Sequence, residues 1–281
     1  MTPPRSPRRR ALLGGAASLA ALPAMRRAQA VDPASAPRRV ERWEDLQAAL
    51  FDGRVAERAA GGALELAAPR RAADPAAVPV SIAVAPDLAP RLLALWLVVD
   101  ENPAPLAVRA EPGPAGDLRS FSTAVRVDAH SLVHAVAETV DGRLLEASCF
   151  VEASRGFSAP LNADFHTAAR DGLGRMRLDL PAGPPGTGRA VPVRVSVRHP
   201  NTTGLQLDPR GRAALPVSFL SRLEVRYRGA EVLRVEAETS VAEDPTFGFA
   251  LSGEPGGELL VLGEDSDGRR FREAWTLGAA G

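Results

Sequence analysis

Short apolar runs with a period of two, broken by Pro, Gly and Asp, repeat through most of this 281-residue chain. Alternating side chains put one face of a strand inward and the other outward, so such runs commit a chain to half-buried β-strands. "RLLEASCFVEA" puts Leu145, Ala147, Cys149 and Val151 on one face and Glu146, Ser148 and Glu152 on the other. "AVPVRVSVRHP" repeats the pattern with Val191, Val193, Val195 and Val197. The Asp141-Gly142 and Arg228-Gly229 steps predict tight hairpins. "LLALWLVV" is apolar on both faces and predicts a central strand covered twice. Trp96 and Trp275, each in a strand run, are candidate core anchors. Only "VERWEDLQAALFDG" reads as a helix, with Val40, Trp43, Leu46 and Leu50 at helical spacing and Gly53 as its stop. Many short strands at regular spacing predict an all-β protein made of two tandem immunoglobulin-like antiparallel sandwiches after one short N-terminal helix.

A long β-region of this kind needs a stable core, because one cysteine excludes an internal disulfide. Cys149 lies on the apolar face of its run, where a thiol behaves as a small hydrophobe. The first thirty residues read as an export signal: a basic start, an apolar stretch from Ala11 to Met25, and Ala28-Gln29-Ala30 before the cut. Arg9-Arg10 ahead of a weakly apolar core fits the twin-arginine pattern. The stretch is short of the ~20 residues a membrane helix needs, so no membrane span is expected after signal cleavage. Six of the 34 basic residues, and no acidic one, precede residue 31. The remainder carries 28 basic against 34 acidic residues, a balance that argues against nucleic acid or anionic lipid as a partner.

Signatures of catalysis are missing: there is no Gly-x-Ser-x-Gly elbow, phosphate loop or His-Glu-x-x-His. His130 and His134 have ligand spacing for a helix but fall in a loop-to-strand segment, without a nearby Cys or second acidic ligand, so no metal site and no cofactor is expected. Ser158, Asp164 and His166 lie in or beside an aperiodic segment that would not hold a triad in register.

Two groups of motifs resemble a known family. "VDENPAPLA", "FSTAVRVDA", "VHAVAE" and "DGRLLEASCFVEAS" resemble the thiosulfate-oxidation carrier subunit SoxY. "RHPNTTGLQLDPRG", "FLSRLEVRYRGAEVL" and "DPTFGFALSG" are similar to its partner SoxZ. The arrangement resembles the fused SoxYZ-like carriers associated with quinoprotein dehydrogenases. The resemblance implies a periplasmic, non-enzymatic protein of sulfur oxidation that serves a protein partner. With the signal peptide over 1–30 and the aperiodic "LNADFHTAARDGLG" read from the residues themselves, it implies a SoxY-like sandwich over 40–158, an arm or linker over 159–174 and a SoxZ-like sandwich over 175–278. In SoxY a Gly-Gly-Cys-Gly-type arm carries substrate on its thiol. The matching positions here are Gly156, Phe157, Ser158 and Ala159, with Phe157 in place of the carrier Cys. The resemblance therefore implies an adaptor that has lost covalent carriage. Phe157 would be either presented outward to a partner or packed on its own domain. The alternative is a true carrier using Cys149 or another group.

Overall fold

The computed structural model describes residues 37–161, 172–183, 185–186, 190–208 and 213–278. One helix, α1 (Pro37–Leu50), precedes fifteen strands among the described residues. The first half holds β1 (Glu57–Arg58), β2 (Leu64–Ala67), β3 (Val78–Val84), β4 (Leu92–Val99), β5 (Leu106–Pro112), β6 (Asp117–Val125), β7 (Ser131–Thr139) and β8 (Leu144–Val151). The second half holds β9 (Met176–Asp179), β10 (Val191–Val197), β11 (Leu220–Tyr227), β12 (Ala230–Ala237), β13 (Thr246–Leu251), β14 (Glu258–Asp265) and β15 (Arg270–Thr276). The fold is all-β, with the two tandem sandwiches the alternation predicts. Both hairpin steps turn as expected: Gly142 has φ 83°, and Arg228 and Gly229 are both left-handed at 53° and 82°. Two consecutive positive φ values match the right-handed twist of the flanking strands.

The sandwiches are joined more closely than a linker would join them. One sheet runs β1-β8-β7-β4-β5-β12-β11-β14-β15 and the other β2-β3-β6-β13-β10-β9. Every pair is antiparallel except the short β1–β8 contact. Strands β5 and β12 pair from Val108↔Ala237 to Pro112↔Leu233, and β6 pairs with β13 through Phe121↔Phe249, so each ladder crosses from one half to the other. The inner faces therefore meet without a break. A single apolar cluster takes in Leu95 and Val108 from the first half and Val235 and Phe249 from the second. The two sandwiches expected over 40–158 and 175–278 therefore share one core, because pairing across the seam merges their inner faces.

Strand β4 is covered on both faces, as its composition requires. Leu95, Leu97 and Val99 face the main core. Val98 and Trp96 face outward into a second cluster, where Trp43, Leu46 and Phe51 lay α1 and its C-terminal turn over the sheet. Trp96 thus anchors the helix to the outer face, not the inner core. Trp275 packs, partly buried, on the main core. Gly53, at φ 77°, closes the turn after α1 by donating its N–H to Ala48 O at 3.2 Å.

Candidate functional site at the seam

Strand β8 ends at Val151, and the next seven residues form a turn docked on the seam between the halves. Arg155 is left-handed (φ 63°) and donates its N–H to Asp128 O at 2.6 Å. Gly156 donates to Val127 O at 3.2 Å. A Cβ on Gly156 would lie 2.3 Å from Pro75 O and 2.6 Å from Val127 O, so only glycine lets the backbone come this close. Phe157 donates its N–H to the carboxylate of Asp128 at 3.0 Å, and its carbonyl accepts from Thr203 Oγ1 at 2.8 Å. Its ring is 2 % exposed and belongs to neither apolar cluster. Ser158 is exposed and Ala159 half-buried. The reading in which Phe157 is presented outward is thus corrected. Both halves grip its backbone, and the ring is turned in.

Behind this turn lies Arg126, fully buried. Its guanidinium donates to Gly156 O at 3.3 Å and Asn201 O at 3.0 Å, with Glu243 at 3.7 Å. Burial lowers its pKa, and Glu243 opposes that only in part. Two asparagines complete the seam. Asn102 donates to Arg126 O at 2.7 Å and Ser240 Oγ at 2.9 Å, and accepts from Asp128 N at 2.9 Å. Asn201 (φ 43°) accepts from Leu220 N at 3.0 Å and donates to Val241 O at 3.3 Å. The Asn102-Pro103 turn and "RHPNTTGLQLDPRG" stand out in the sequence as turns, but their joint role in binding the halves does not. Arg126 follows an alternating run, and nothing there marks it as buried.

The same segment reverses the usual strand pattern. Leu205 and Leu207 are exposed, while Gln206 between them is fully buried and accepts from Thr203 N at 2.8 Å. Val217 is exposed beside Gly204, where a Cβ would meet its Cγ2 at 2.8 Å. Three apolar side chains are thus exposed on the connection between β10 and β11, which Thr203 ties to the docked turn.

Cys149 is 1 % exposed and faces the core from β8. Burial pushes its thiol up to about 11, against a smaller opposing effect of the Ala68 backbone. A sealed, protonated thiol is a poor nucleophile. The histidines do not converge. His130 is exposed and bonds Ala153 O at 2.8 Å. His134 is buried on the outer face of β7 between Asp100 and Glu146. No cluster suited to a metal ion occurs among the described residues. Asp164 and His166 lie outside the described residues.

A family model described as "Sulfur oxidation protein SoxY" matches residues 47–156, and one described as "Sulphur oxidation protein SoxZ" matches residues 182–276. The chain belongs to the SoxYZ-like family. Its two sandwiches are a SoxY-type and a SoxZ-type domain fused in tandem, and the seam is the junction between them. The SoxY match stops at Gly156, one residue before Phe157. No curated protein matches significantly. Among solved structures, the sulfur carrier protein SoxY from Chlorobium limicola f thiosulfatophilum is 19% identical, covering 43% of this chain and all of its own, with a TM-score of 0.34. A β-glycosidase from Bacteroides vulgatus is 8% identical over 76% of this chain and 24% of its own, at a TM-score of 0.24. Among the described residues, no helix is long and apolar enough to cross a membrane.

Proposed function

We propose that this SoxYZ-like protein is an exported, non-enzymatic adaptor of the periplasm that works by non-covalent contact. One observation carries the reading: the chain's only thiol is sealed in the core. The resemblance to SoxY supports it by setting Phe157, which is buried at the seam, at the position of the carrier Cys. Phenylalanine forms no thioether, persulfide or thiosulfonate. A thiol at mid-strand cannot enter a partner's active site without opening its sheet. With Phe157 turned in, the partner surface is the connection between β10 and β11 that exposes Leu205, Leu207 and Val217 and is tied to the turn through Thr203, because exposed apolar side chains mark sites of contact. The partner is a periplasmic protein. A quinoprotein dehydrogenase is the class that the resemblance to fused SoxYZ-like carriers supports, and Arg9-Arg10 supports twin-arginine export.

The test is the intact mass of protein purified from its own host, together with thiol labelling. The mature chain should start at or near Val31, carry no adduct on the Cys149 peptide, and react with a thiol reagent slowly when native and normally when denatured. A sulfur adduct on Cys149, or fast native labelling, would return the protein to the class of covalent carriers.

A further inference from the structure

The buried charge cluster on the outer sheet face has no part in the adaptor reading. Its centre is His134, 2 % exposed at mid-strand in β7. Nδ1 lies 2.8 Å from Glu146 Oε1 on the neighbouring β8. Nε2 lies 3.1 Å from the carboxylate of Asp100, a wholly buried residue just past the end of β4. Trp43 of α1 closes the site from above, its ring stacked on the imidazole at 3.8 Å and 7°. Arg42 is the other charged group of the helix turned toward the cluster, and its Nε donates to Asp100 O at 3.1 Å. Trp43 and Ser148 add hydrogen bonds to Glu146.

A neutral imidazole has one N–H, and an imidazolium has two. Here both ring nitrogens face carboxylates, so the ring satisfies both only when it is charged. A cation under an indole face is favourable as well. Once His134 loses its proton, one carboxylate loses its imidazole donor: either Asp100, wholly buried, or Glu146, which keeps its bonds from Trp43 and Ser148, and weaker support for a charge beneath the helix is costly. The cheapest relief is for α1 to lift and admit water. Besides the cluster, α1 is held by a small apolar patch of Trp43, Leu46 and Phe51 on Val98, Val136 and Leu144, separate from the main core, and by Arg39, which donates to His130 O at 3.4 Å and lies over the Phe150 ring.

We infer that His134 is a charge-dependent latch for α1: the imidazolium keeps the helix seated over β4, β7 and β8, and its neutralisation releases the helix while the sandwiches stay folded. The burial of His134 would by itself lower its pKa, but its bonds to Asp100 and Glu146 prevail and place it at about 9. The latch is therefore closed at neutral pH and opens on the alkaline side.

The test uses the full chain. Ring-nitrogen NMR of His134 should give a titration near pH 9, and hydrogen exchange, corrected for its intrinsic pH dependence, should follow α1. Protection of the Leu46 and Gln47 amides should fall at least tenfold between pH 7 and pH 10, while amides of β4 and β11 hold theirs. His134→Gln, which cannot be charged, should show the loosened helix already at pH 7. If that variant does not fold, the wild-type titration decides alone. Titration of His134 near its ordinary value of 6.5, or loss of α1 protection only together with β4, would overturn the latch.

Discussion

His134 and His199 are both buried, one in each half, and each has a carboxylate nearby, yet they sit in opposite charge states. His134 has Glu146 at 2.8 Å and Asp100 at 3.1 Å, and its pKa is raised to about 9 despite its burial. His199 is fully buried, and burial prevails there, lowering its pKa. The carboxylate facing its ring, Asp265, is 3.5 Å from Nε2, too far for a strong bond, and Asp244 accepts only from its backbone N–H. Oδ1 of Asp265 accepts from the N–H groups of Asp267 and Arg269, and Oδ2, the oxygen facing His199, is already ion-paired with Arg269 Nε at 2.8 Å. The Nδ1 of His199 accepts from Asn201 N at 3.1 Å, which requires it to be unprotonated. Proximity to an acid does not charge a buried histidine. What decides is whether the acid is free to accept and whether both ring nitrogens are needed as donors.

The largest expected effect comes from removing the charged member. His134→Leu fills a similar space but leaves Asp100 buried without its donor, a loss of about 3–5 kcal/mol. Urea unfolding at pH 6.5 should show it as a lower midpoint at an unchanged slope. A loss below about 1 kcal/mol would mean that His134 is neutral in the folded protein and that the contrast with His199 is false.

Next in size is the alkaline limb of the wild-type stability curve. The folded pKa of His134 is raised above its unfolded value of 6.5, so its contribution is complete below about pH 6.5 and lost as pH rises toward 9. The slope approaches but does not exceed about 1.4 kcal/mol per pH unit. Thermal denaturation at half-unit steps should show the limb in the wild type and a flatter one in His134→Gln. Equal limbs in both proteins would assign the alkaline loss to other groups.

Much of this fold is legible in the sequence, because alternation carries both the inward face and the strand. Both hairpin steps, the helix ending near Gly53, and β4 covered on two faces all follow from local pattern. The fusion of the sheets does not. The pairing of β5 with β12 joins residues over a hundred positions apart, and nothing local distinguishes an edge strand from one that will be paired. Phe157 shows the same limit. Gly156 and the small residues around it fit an exposed tip as well as a packed turn, but the groups that hold the turn's backbone inward come from two distant segments, Arg126 and Asp128 from one and Thr203 from the other. The two buried histidines differ in placement, His134 inside an alternating strand and His199 at a His-Pro step just past one, but only their partners' bonds separate their charge states.

The smallest effect belongs to His199, and it tests the neutral side of the contrast. Since burial depresses its pKa below the unfolded value, the unfolded chain binds a proton that the folded chain refuses, and stability must fall as pH drops below about 6.5. His199→Gln keeps a group able to accept from Asn201 N but cannot take up a proton. At pH 7 it should cost only about 1 kcal/mol, the worth of one imperfectly replaced hydrogen bond. Between pH 6.5 and pH 5 it should lose less than the wild type does, so the two curves converge. Carboxylates titrate in the same range in both proteins, so the difference between the curves isolates the imidazole. Curves that run parallel from pH 7 to pH 5 would show that His199 is not held neutral, and the distinction drawn between the two histidines would then rest on His134 alone.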